Sequence, residues 1–197
     1  CRILSEAFPE RKFSFAKKPD YADYIYNASD LISLSGKKYH AKRNFINRFK
    51  QVNDGRYRLS AIAQEDLDEV WVYNKEWCEK NGCLHNLTLL GETCAVRIAF
   101  ANYNELGLVG RVLKLDGKII AYSFATRING ETIDVHVEKA EYEIPGAYPI
   151  INNALASAEE FEEIRYINRE EDMGIEGLRK AKESYHPEIL LMRYNAR

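Results

Sequence analysis

The chain has no apolar run long enough to cross a membrane. Its longest nearly apolar stretch, residues 119–125, has seven residues, whereas a membrane helix needs about 20. Glycine (11) and proline (5) are too few for a disordered or fibrous protein. Positive and negative charges nearly balance, because the chain has 28 Lys and Arg residues and 30 Asp and Glu residues, for a net charge of −2. Any affinity for nucleic acid must therefore come from a local patch.

Cysteine is scarce as well. Four cysteines, Cys1, Cys78, Cys83 and Cys94, occur in 197 residues, and a chain of this length can bury a core without disulfides. We predict reduced thiols in a cytoplasmic protein. Cys78, Cys83 and His85 match no standard zinc spacing, so no metal site is predicted. Because the first residue is Cys1 rather than Met, we expect further sequence upstream.

One segment is strongly basic. Residues 31–53 contain no Asp or Glu, and Ala41, Phe45, Phe49 and Val52 follow the spacing of one apolar helix stripe. This pattern predicts a helix whose other faces are either solvated or directed at phosphates, which Lys and Arg neutralise. We select Lys38, Lys42 and Arg43 as candidate phosphate-binding residues on a basic helix, residues 37–50.

The remaining sequence predicts a regular order of strands and helices. Asp116-Gly117 and Asn129-Gly130 join three alternating segments, and such dipeptides favour tight hairpin turns because both central residues need positive φ. Two short strands, 12–16 and 21–26, are predicted near the start, with a turn between them. From residue 56 the predicted order is strand, helix, helix, three antiparallel strands, helix, strand, helix, strand.

This order resembles the GNAT acyltransferase fold. The resemblance implies an α+β protein with a mixed, mostly antiparallel sheet flanked by helices. In that fold the strands before and after the third helix separate, and the acyl group lies in the gap between them. Here those strands correspond to residues 132–138 and 165–168.

Three stretches carry a closer resemblance: DLISLSGKKYHAKRNFINRFK, VHVEKAEYEIPGAYPIINNALA and YINREEDMGIEGLRKAKESYHPEILLMRY. They are similar to a bacterial family, uncharacterised in function, that shares the C-terminal domain of phosphatidylglycerol lysyltransferase and is related to the Fem aminoacyltransferases. The resemblance implies the second half of a tandem GNAT protein. It divides the chain into the tail of a preceding repeat (1–36), a basic connecting helix (37–54) and a GNAT-like domain (55–197).

The resemblance also bears on the donor. GNAT enzymes that use acetyl-CoA carry a glycine-rich basic loop before the third helix, where backbone N–H groups hold the pyrophosphate. The matching residues 141–147 have one Gly, no basic residue and two carboxylates. Acetyl-CoA is therefore disfavoured and no other cofactor is predicted. The resemblance implies an aminoacyl-tRNA donor, for which the basic helix is a candidate binding surface.

Candidate site residues gather around the last strand-to-helix junction. Lys182 and Arg179 lie three apart on one helix, where they are neighbours; we predict that Lys182 donates to the developing oxyanion or to the terminal phosphate of the tRNA, and the alternative is a pair of exposed cations. Asn168 and Arg169 are predicted to hold the acyl group or a phosphate. For Arg169 the alternative is a capping network with neighbouring acids.

His136 and Glu138 alternate with valines on one predicted strand, so we expect both on the same side of the sheet. They form either a base with its orienting carboxylate or a half-exposed polar surface.

The leading functional hypothesis is aminoacyl or acyl transfer to an amine or hydroxyl of a small molecule, peptide or lipid. The alternatives are a non-catalytic module that binds RNA or a ligand, and an acetyl-CoA-dependent N-acetyltransferase.

Overall fold

The computed structural model describes residues 2–82 and 87–197. Short 3-10 turns occur at Lys37–Tyr39, Gln64–Asp66 and Glu159–Phe161. The α-helices are α1 (Arg2–Ala7), α2 (Ala28–Ser33), α3 (His40–Val52), α4 (Leu67–Lys80), α5 (Leu87–Ala101), α6 (Ala147–Ala156) and α7 (Glu176–Glu183). The strands are β1 (Phe15–Asn27), β2 (Tyr57–Ala61), β3 (Val109–Leu115), β4 (Lys118–Arg127), β5 (Thr132–Ala140), β6 (Tyr166–Asn168) and β7 (Ile189–Ala196).

The described strands form one seven-stranded sheet in the order β2-β3-β4-β5-β6-β1-β7. All neighbours are antiparallel except β5 and β6, which run parallel. The predicted β3-β4-β5 meander is confirmed, and Asp116 and Gly117 both have positive φ at its first turn, as a tight hairpin requires. The predicted α+β class with a mixed, mostly antiparallel sheet is also confirmed.

The N-terminal strand differs from the expectation. The two predicted strands, 12–16 and 21–26, form the single long strand β1, whose pairing with β7 is irregular between Lys18 and Asp23. Pro19 lies inside that irregularity, where no ladder hydrogen bond needs its missing N–H. β1 lies between β6 and β7 in the sheet, so residues 15–27 share one sheet with the strands that follow residue 55.

Helices cover both faces of the sheet and separate two apolar cores. On one face α2, α3 and α6 pack over residues such as Leu113, Ala121 and Ile133. On the other, α4 and α5 pack over alternating neighbours such as Val112 and Tyr122. The period-2 alternation of buried side chains on β3 and β4 therefore divides between two helical layers.

The predicted basic helix is present as α3, but its buried stripe is rotated. Ile46 and Phe49 are buried, whereas Phe45 is about half exposed and Val52 is mostly exposed. Ile46 and Phe49 are three apart and reach the core together. Helical periodicity alone did not determine which of two overlapping stripes faces the sheet.

Two further expectations concern cysteines. Cys78 is disulfide-bonded, so the prediction of reduced thiols is wrong for this residue. Cys83 and His85 lie outside the described residues.

Among the described helices, none combines the length and the apolar character that crossing a bilayer requires.

We expect Gly146 to be the glycine whose replacement costs most. It has φ +98°, and a Cβ built there would lie 2.7 Å from the Phe45 carbonyl oxygen and 2.8 Å from Phe49 Cβ. Backbone strain and overpacking predict that Gly146→Ala lowers the free energy of unfolding by about 2–5 kcal/mol in urea titrations. Gly117→Ala is the matched control, because Gly117 has φ +79° but open space around it. Equal losses in the two variants would show that the close approach of α3 to α6 is unimportant.

Candidate active site

The site begins where β5 and β6 part. The two strands pair through only three positions, from Thr132 opposite Tyr166 to Asp134 opposite Asn168. Beyond these positions β5 continues to Ala140. The chain after Asn168 parts from β5 but stays bonded to β1, since the Arg169 N–H donates to the Tyr24 carbonyl and the Tyr24 N–H donates to the Glu170 carbonyl. A gap therefore opens along the second half of β5, and polar side chains from both segments enter it.

A β-bulge lies at the start of this gap. Ala125 on β4 pairs with Val135, but the preceding residue, Phe124, pairs with Val137, so β5 has one extra residue at His136. Beyond a bulge, the side chains of the strand alternate between the two faces of the sheet in the opposite order. His136 consequently faces the α5 side of the sheet, and Glu138 faces α6. The expectation that His136 and Glu138 lie on the same side is therefore wrong.

Glu138 is the centre of a buried polar cluster on the α6 side. Its Oε1 accepts a hydrogen bond of 2.8 Å from Arg169 Nη2, and its Oε2 accepts one of 2.8 Å from Asn152 Nδ2. The Glu138 and Arg169 side chains are each only 10% exposed. Burial is the largest single influence and lowers the pKa of the Arg169 guanidinium, but Glu138, Tyr26 and Tyr185 together outweigh it and raise that pKa. This ion pair joins β5 to the segment after β6 across the gap.

Lys182 holds the segment that follows Arg169. Its buried ammonium donates to three consecutive backbone carbonyls, those of Arg169, Glu170 (3.1 Å) and Glu171 (2.6 Å). Burial, followed by repulsion from Arg169, lowers the pKa of Lys182 to about 8. All three ammonium protons are used by the protein, so in this arrangement Lys182 is a positioning residue for loop 169–171.

Arg179 contacts different partners from Lys182, although the two lie on one helix. Its Nε and Nη2 donate to the fully buried Asp172 at 2.7 and 2.9 Å, and Nη2 also donates to Asp20 at 2.7 Å. Asp172 accepts further bonds from the Tyr24 hydroxyl (2.6 Å) and the Gly174 N–H (2.8 Å). These contacts hold the pKa of Asp172 well below its usual range, the bond from Arg179 most of all. Arg179 thus fastens α7 to the preceding loop.

Asn168 also shapes the loop. The residue is buried, and its Oδ1 accepts a 3.0 Å hydrogen bond from the Glu170 N–H. Glu170 has φ +54°, a left-handed conformation that costs free energy for a residue with a Cβ. Asn168, Lys182 and the Arg169 side chain together hold Glu170 in this conformation, directed at the gap.

His136 lies in a cavity of about 540 Å³ between α5 and the sheet. Its Nε2 is 2.8 Å from Thr126 Oγ1, and its Nδ1 is 3.4 Å from Glu170 Oε1. A neutral imidazole that donates Nδ1–H to the Glu170 carboxylate accepts a hydrogen bond from the Thr126 hydroxyl at Nε2. The cavity is lined by Glu92, Ala95, Val96, Ala99, Leu106, Leu108, Phe124, Thr126, His136, Val137 and Glu170.

Negative charge accumulates around His136. A carboxylate oxygen of Asp134, a ring nitrogen of His136 and a carboxylate oxygen of Glu170 all lie within 4.8 Å of one another. The hydrogen bond that His136 donates to Glu170 raises the pKa of His136, while burial and then Glu170 raise the pKa of Asp134 to about 6. Within the described ranges these three residues have the donor types and the spacing that could hold a cation.

The basic helix is largely occupied by contacts within the chain. Lys38 pairs with Asp30 at 2.9 Å, and Arg43 donates to the carbonyls of Leu34 and Gly36. Lys42 donates to Ser184 Oγ at 2.7 Å and lies over the Tyr185 ring, and burial, followed by Arg169, lowers its pKa to about 8. In the part of the chain described, the exposed bases of this segment without an ion pair are Lys37, Arg48 and Lys50.

A second cavity, about 620 Å³, lies at the start of α6. Four carboxylates line it, from Glu69, Glu76, Glu141 and Glu143, against the ammonium groups of Lys80 and Lys118. Lys80 is paired with Glu141 at 3.1 Å. In GNAT enzymes that use acetyl-CoA, the N–H groups at the start of the corresponding helix hold the pyrophosphate. The cavity at the start of α6 carries excess negative charge, which repels phosphate.

Fold and gap together define a class of protein. The meander, the separated strand pair with a bulge on one member and the helix between those strands form a GNAT-like, acyltransferase-like fold. A GCN5-related N-acetyltransferase-like protein from Streptococcus suis matches with a TM-score of 0.51 and 12% identity, over 100% of this chain and 67% of that protein.

Within this class the chain belongs to the family described as phosphatidylglycerol lysyltransferase, C-terminal, whose profile matches residues 3–197. A conserved protein of unknown function from Bacteroides thetaiotaomicron is 45% identical with a TM-score of 0.90, covering 99% of this chain and 65% of that one. L-PGS from Bacillus licheniformis is 18% identical with a TM-score of 0.63, covering 99% and 64%. The chain thus spans about two thirds of the length of these relatives.

Sequence reasoning missed three members of the site, Thr126, Asp134 and Asn152, and assigned no role to a fourth, Glu170. Asp134 had a usable signal, because it stands two positions before His136 on one strand. Glu170 had a weaker signal, as part of the acidic run after β6. Nothing local in the sequence indicated that Asn152 on α6 contacts Glu138.

A double-mutant cycle should measure the Glu138–Arg169 pair. Arg169→Met leaves a buried carboxylate without its cation and is expected to cost about 3–5 kcal/mol of unfolding free energy in urea. Adding Glu138→Leu removes that carboxylate, so the double variant should lose less than the sum of the single losses by about 2 kcal/mol. The exposed pair Arg56–Asp116 is the control and should show little coupling. Additive losses at Glu138 and Arg169 would contradict the pairing.

Proposed function

We propose that the protein transfers an acyl group from an ester donor to a nucleophile held beside His136. The observation that carries this proposal is the meeting of His136 and Glu170 across the gap between β5 and the loop after β6, at the mouth of a cavity. In an acyltransferase-like fold, this gap places a base next to the space available for the acyl carbon.

His136 supplies the proton acceptor in this scheme. Its Nε2 takes a proton from the acceptor group, and Glu170, which accepts a hydrogen bond from Nδ1–H, stabilises the imidazolium that forms. The acceptor nitrogen or oxygen then bonds to the acyl carbon, and the ester C–O bond breaks. A proton passes to the leaving oxygen, which restores neutral His136 and balances the reaction.

An aminoacyl group carried by a tRNA is the donor that we propose. The acidic cavity at the start of α6 disfavours the pyrophosphate of acetyl-CoA, and an aminoacyl ester places no pyrophosphate there. Lys37, Arg48 and Lys50 remain exposed on the basic segment and could meet the tRNA backbone. A cytoplasmic location, where charged tRNA is present, accompanies this proposal, and the acceptor can be a small molecule, a peptide or a lipid.

The domain division forms part of the same proposal. Because about one third of the length of these relatives lies outside the portion matched here, residues 1–36 are proposed to end a preceding repeat and residues 37–54 to connect it to the domain of residues 55–197. β1 would then be a strand that the preceding repeat contributes to this sheet. The preceding repeat would supply the remaining contacts to the tRNA.

A non-catalytic binding module is the second candidate, favoured by one observation. The cations Lys182, Arg179 and Arg169 all bind groups of this chain, although Arg169 Nη1 has no hydrogen-bond partner, so these cations leave few donors for an oxyanion. Ligand binding without any transfer, in the full-length protein, would favour this second candidate.

The pH dependence of transfer tests the role of His136. The base must be neutral, so the rate rises as pH passes the pKa of His136, which Glu170 raises. Glu170→Gln removes the hydrogen bond that raises this pKa, and the ascending limb of kcat should move to lower pH. His136→Gln should lower kcat by about 10²–10⁴-fold, measured with an aminoacyl-tRNA or an activated aminoacyl ester.

His186→Gln is the matched control for His136→Gln, since His186 lies outside the cavity, and it should leave the pH profile in place. If the ascending limb of kcat against pH stays at the same pH in Glu170→Gln, His136 is excluded as the base. Circular dichroism at each pH separates a change of rate from loss of the fold.

The salt dependence of tRNA binding tests the basic segment. Replacing Arg48 and Lys50 with Glu removes exposed positive charge, so the slope of log K against log salt should fall by about 1 for each lost phosphate contact. Lys75→Glu, at an exposed lysine on α4, is the control and should leave the slope unchanged. An unchanged slope in the Arg48/Lys50 variant would remove this segment from the tRNA surface.

A further inference from the structure

The start of β1 and the end of β7 form a two-stranded ribbon that extends beyond the rest of the described sheet. Residues 15–18 pair with residues 193–196, whereas β6 pairs with β1 only at residues 25–27. None of the residues 11–21 and 189–197 is buried. Because a two-stranded ribbon exposed on both faces is marginally stable in water, a ligand bound along this ribbon would stabilise it.

The ribbon and the residues beside it concentrate positive charge. The two segments that form it, residues 11–18 and 190–197, contain no Asp or Glu. They are far apart in the sequence, and only the pairing of β1 with β7 brings them together. In a chain whose net charge is −2, they contribute six basic residues: Arg11, Lys12, Lys17, Lys18, Arg193 and Arg197.

Neighbouring carboxylates neutralise little of this charge. Asp20, which follows the ribbon, accepts a hydrogen bond of 2.7 Å from Arg179 on α7. Arg193 is the one ribbon cation with a close partner among the described residues, since it pairs with Asp23 at 2.8 Å. The remaining ribbon cations form no ion pair with any carboxylate side chain that the structure describes: Lys17, Lys18 and Arg197.

One face of the ribbon is cationic. In an antiparallel pair, residues directly opposite each other lie on the same face, and successive residues alternate between the faces. Lys18 pairs with Arg193, and further along the ribbon the Ser14 and Arg197 backbones exchange hydrogen bonds of 2.8 and 3.0 Å. Lys18, Arg193 and Arg197 therefore share one face, which suits a chain of phosphates.

The opposite face is aromatic. Lys17 pairs with Tyr194, and Phe15 lies two positions before Lys17 on the same side. Tyr194 is 43% exposed. The ring centroid of Phe13 lies 6.1 Å from that of Phe15 and 6.4 Å from that of Phe8. Accessible rings beside lysines are the surfaces on which unpaired bases stack.

Protection of a sheet edge does not account for both faces of the ribbon. Lysines on an exposed strand discourage pairing with other chains, but exposed Phe and Tyr rings do not. An anionic bilayer would meet one face of the ribbon, whereas Lys17 and Lys18 lie on opposite faces. Cations on both faces, together with a series of rings, match a flexible single-stranded nucleic acid that can follow a narrow ribbon.

The ribbon also leads to the gap beside His136. The Tyr24 N–H on β1 donates to the Glu170 carbonyl at 3.1 Å, so β1 passes directly next to the loop that faces His136. From Tyr24 to Phe15 the strand extends over roughly 30 Å. An RNA whose 3′-terminal acyl ester lies at the gap can therefore continue along the ribbon.

We infer that the β1–β7 ribbon, residues 14–18 and 193–197, binds the single-stranded end of the donor RNA. The phosphates of the RNA contact the ribbon cations, and its bases stack on the aromatic rings. The ribbon is a second RNA surface, separate from the basic segment at residues 37–50. The inference rests on the proposed function for the role of the RNA as donor, but RNA binding by the ribbon can be measured without any transfer.

Fluorescence anisotropy of the full-length protein with a labelled single-stranded RNA tests the cations. The double variant Lys17→Glu/Lys18→Glu should bind about tenfold more weakly or less, and its slope of log K against log salt should fall by about 1.4, since each phosphate contact on a single strand contributes about 0.7. Lys75→Glu/Arg58→Glu makes the same change of charge on α4 and on β2, at the opposite edge of the sheet, and should leave affinity and slope unchanged. Thermal melts establish that each variant is folded.

Phe15→Leu separates stacking from charge. Leucine keeps an apolar side chain but has no aromatic face, so RNA binding should weaken by about fivefold or more while the salt slope stays unchanged. Tyr142→Leu removes an exposed ring outside the ribbon and should leave RNA binding unchanged. The same anisotropy titrations measure both variants.

Unchanged RNA affinity in both the Lys17/Lys18 variant and Phe15→Leu would overturn the inference. Binding to vesicles of phosphatidylglycerol and phosphatidylcholine through these residues, with no binding of RNA, would overturn it in favour of a membrane surface. If an amine reagent fails to modify Lys17 and Lys18 in the RNA-free full-length protein, another part of the molecule covers the ribbon and the inference is wrong.

Transfer assays separate this inference from the proposed function. A small activated aminoacyl ester reaches His136 without the ribbon, so the Lys17/Lys18 variant should lose transfer from aminoacyl-tRNA and keep transfer from the small ester. Transfer from aminoacyl-tRNA that the variant leaves unchanged would reject the ribbon and leave the proposed function intact. RNA binding with the expected variant effects, but no transfer from either donor, would support RNA binding by the ribbon and reject the proposed function.

Discussion

The ion pair between Glu138 and Arg169 is the interaction on which the site depends. β5 and β6 are hydrogen-bonded through only three positions, and beyond them the two segments would be free to separate further. Two charges buried to the same degree hold them together, because either charge alone would be costly in that environment. The rings of Tyr26 and Tyr185 lie 5.6 and 4.9 Å from the guanidinium carbon of Arg169 and complete its surroundings.

The Glu138–Arg169 ion pair also helps to determine where the Glu170 carboxylate lies. Arg169 fixes the start of the loop, Lys182 holds three successive carbonyls, and Asn168 bonds the Glu170 N–H. The buried cations of this region thus act on the protein backbone and side chains, and they present the carboxylate of Glu170 to His136. The bulge at His136 separates the two polar groups of β5, with the structural pair on the α6 side and the cavity on the α5 side.

Much of the fold could be predicted from local patterns. Hairpin dipeptides and alternation determined the β3-β4-β5 meander, since positive φ at Asp116 and Gly117 and period-2 burial are local properties. The basic segment was located correctly, yet its charges were predicted to face a partner, whereas Lys38 and Arg43 bind groups of the neighbouring α2 region. Ion pairs formed by tertiary folding decide which surface charges remain available.

Local patterns specified the order of elements from residue 56, the family and the segment that carries several site residues, because these depend on periodicity, turn chemistry and motifs along the chain. They did not specify that residues 15–27 form one strand. The roles of the site residues followed from contacts made on folding. Whether His136 and Glu138 share a face depended on one extra residue in the β4–β5 register. That Asp134, His136 and Glu170 meet depended on how far β6 follows β5, since contacts between segments over 30 residues apart are set by packing and burial of charge.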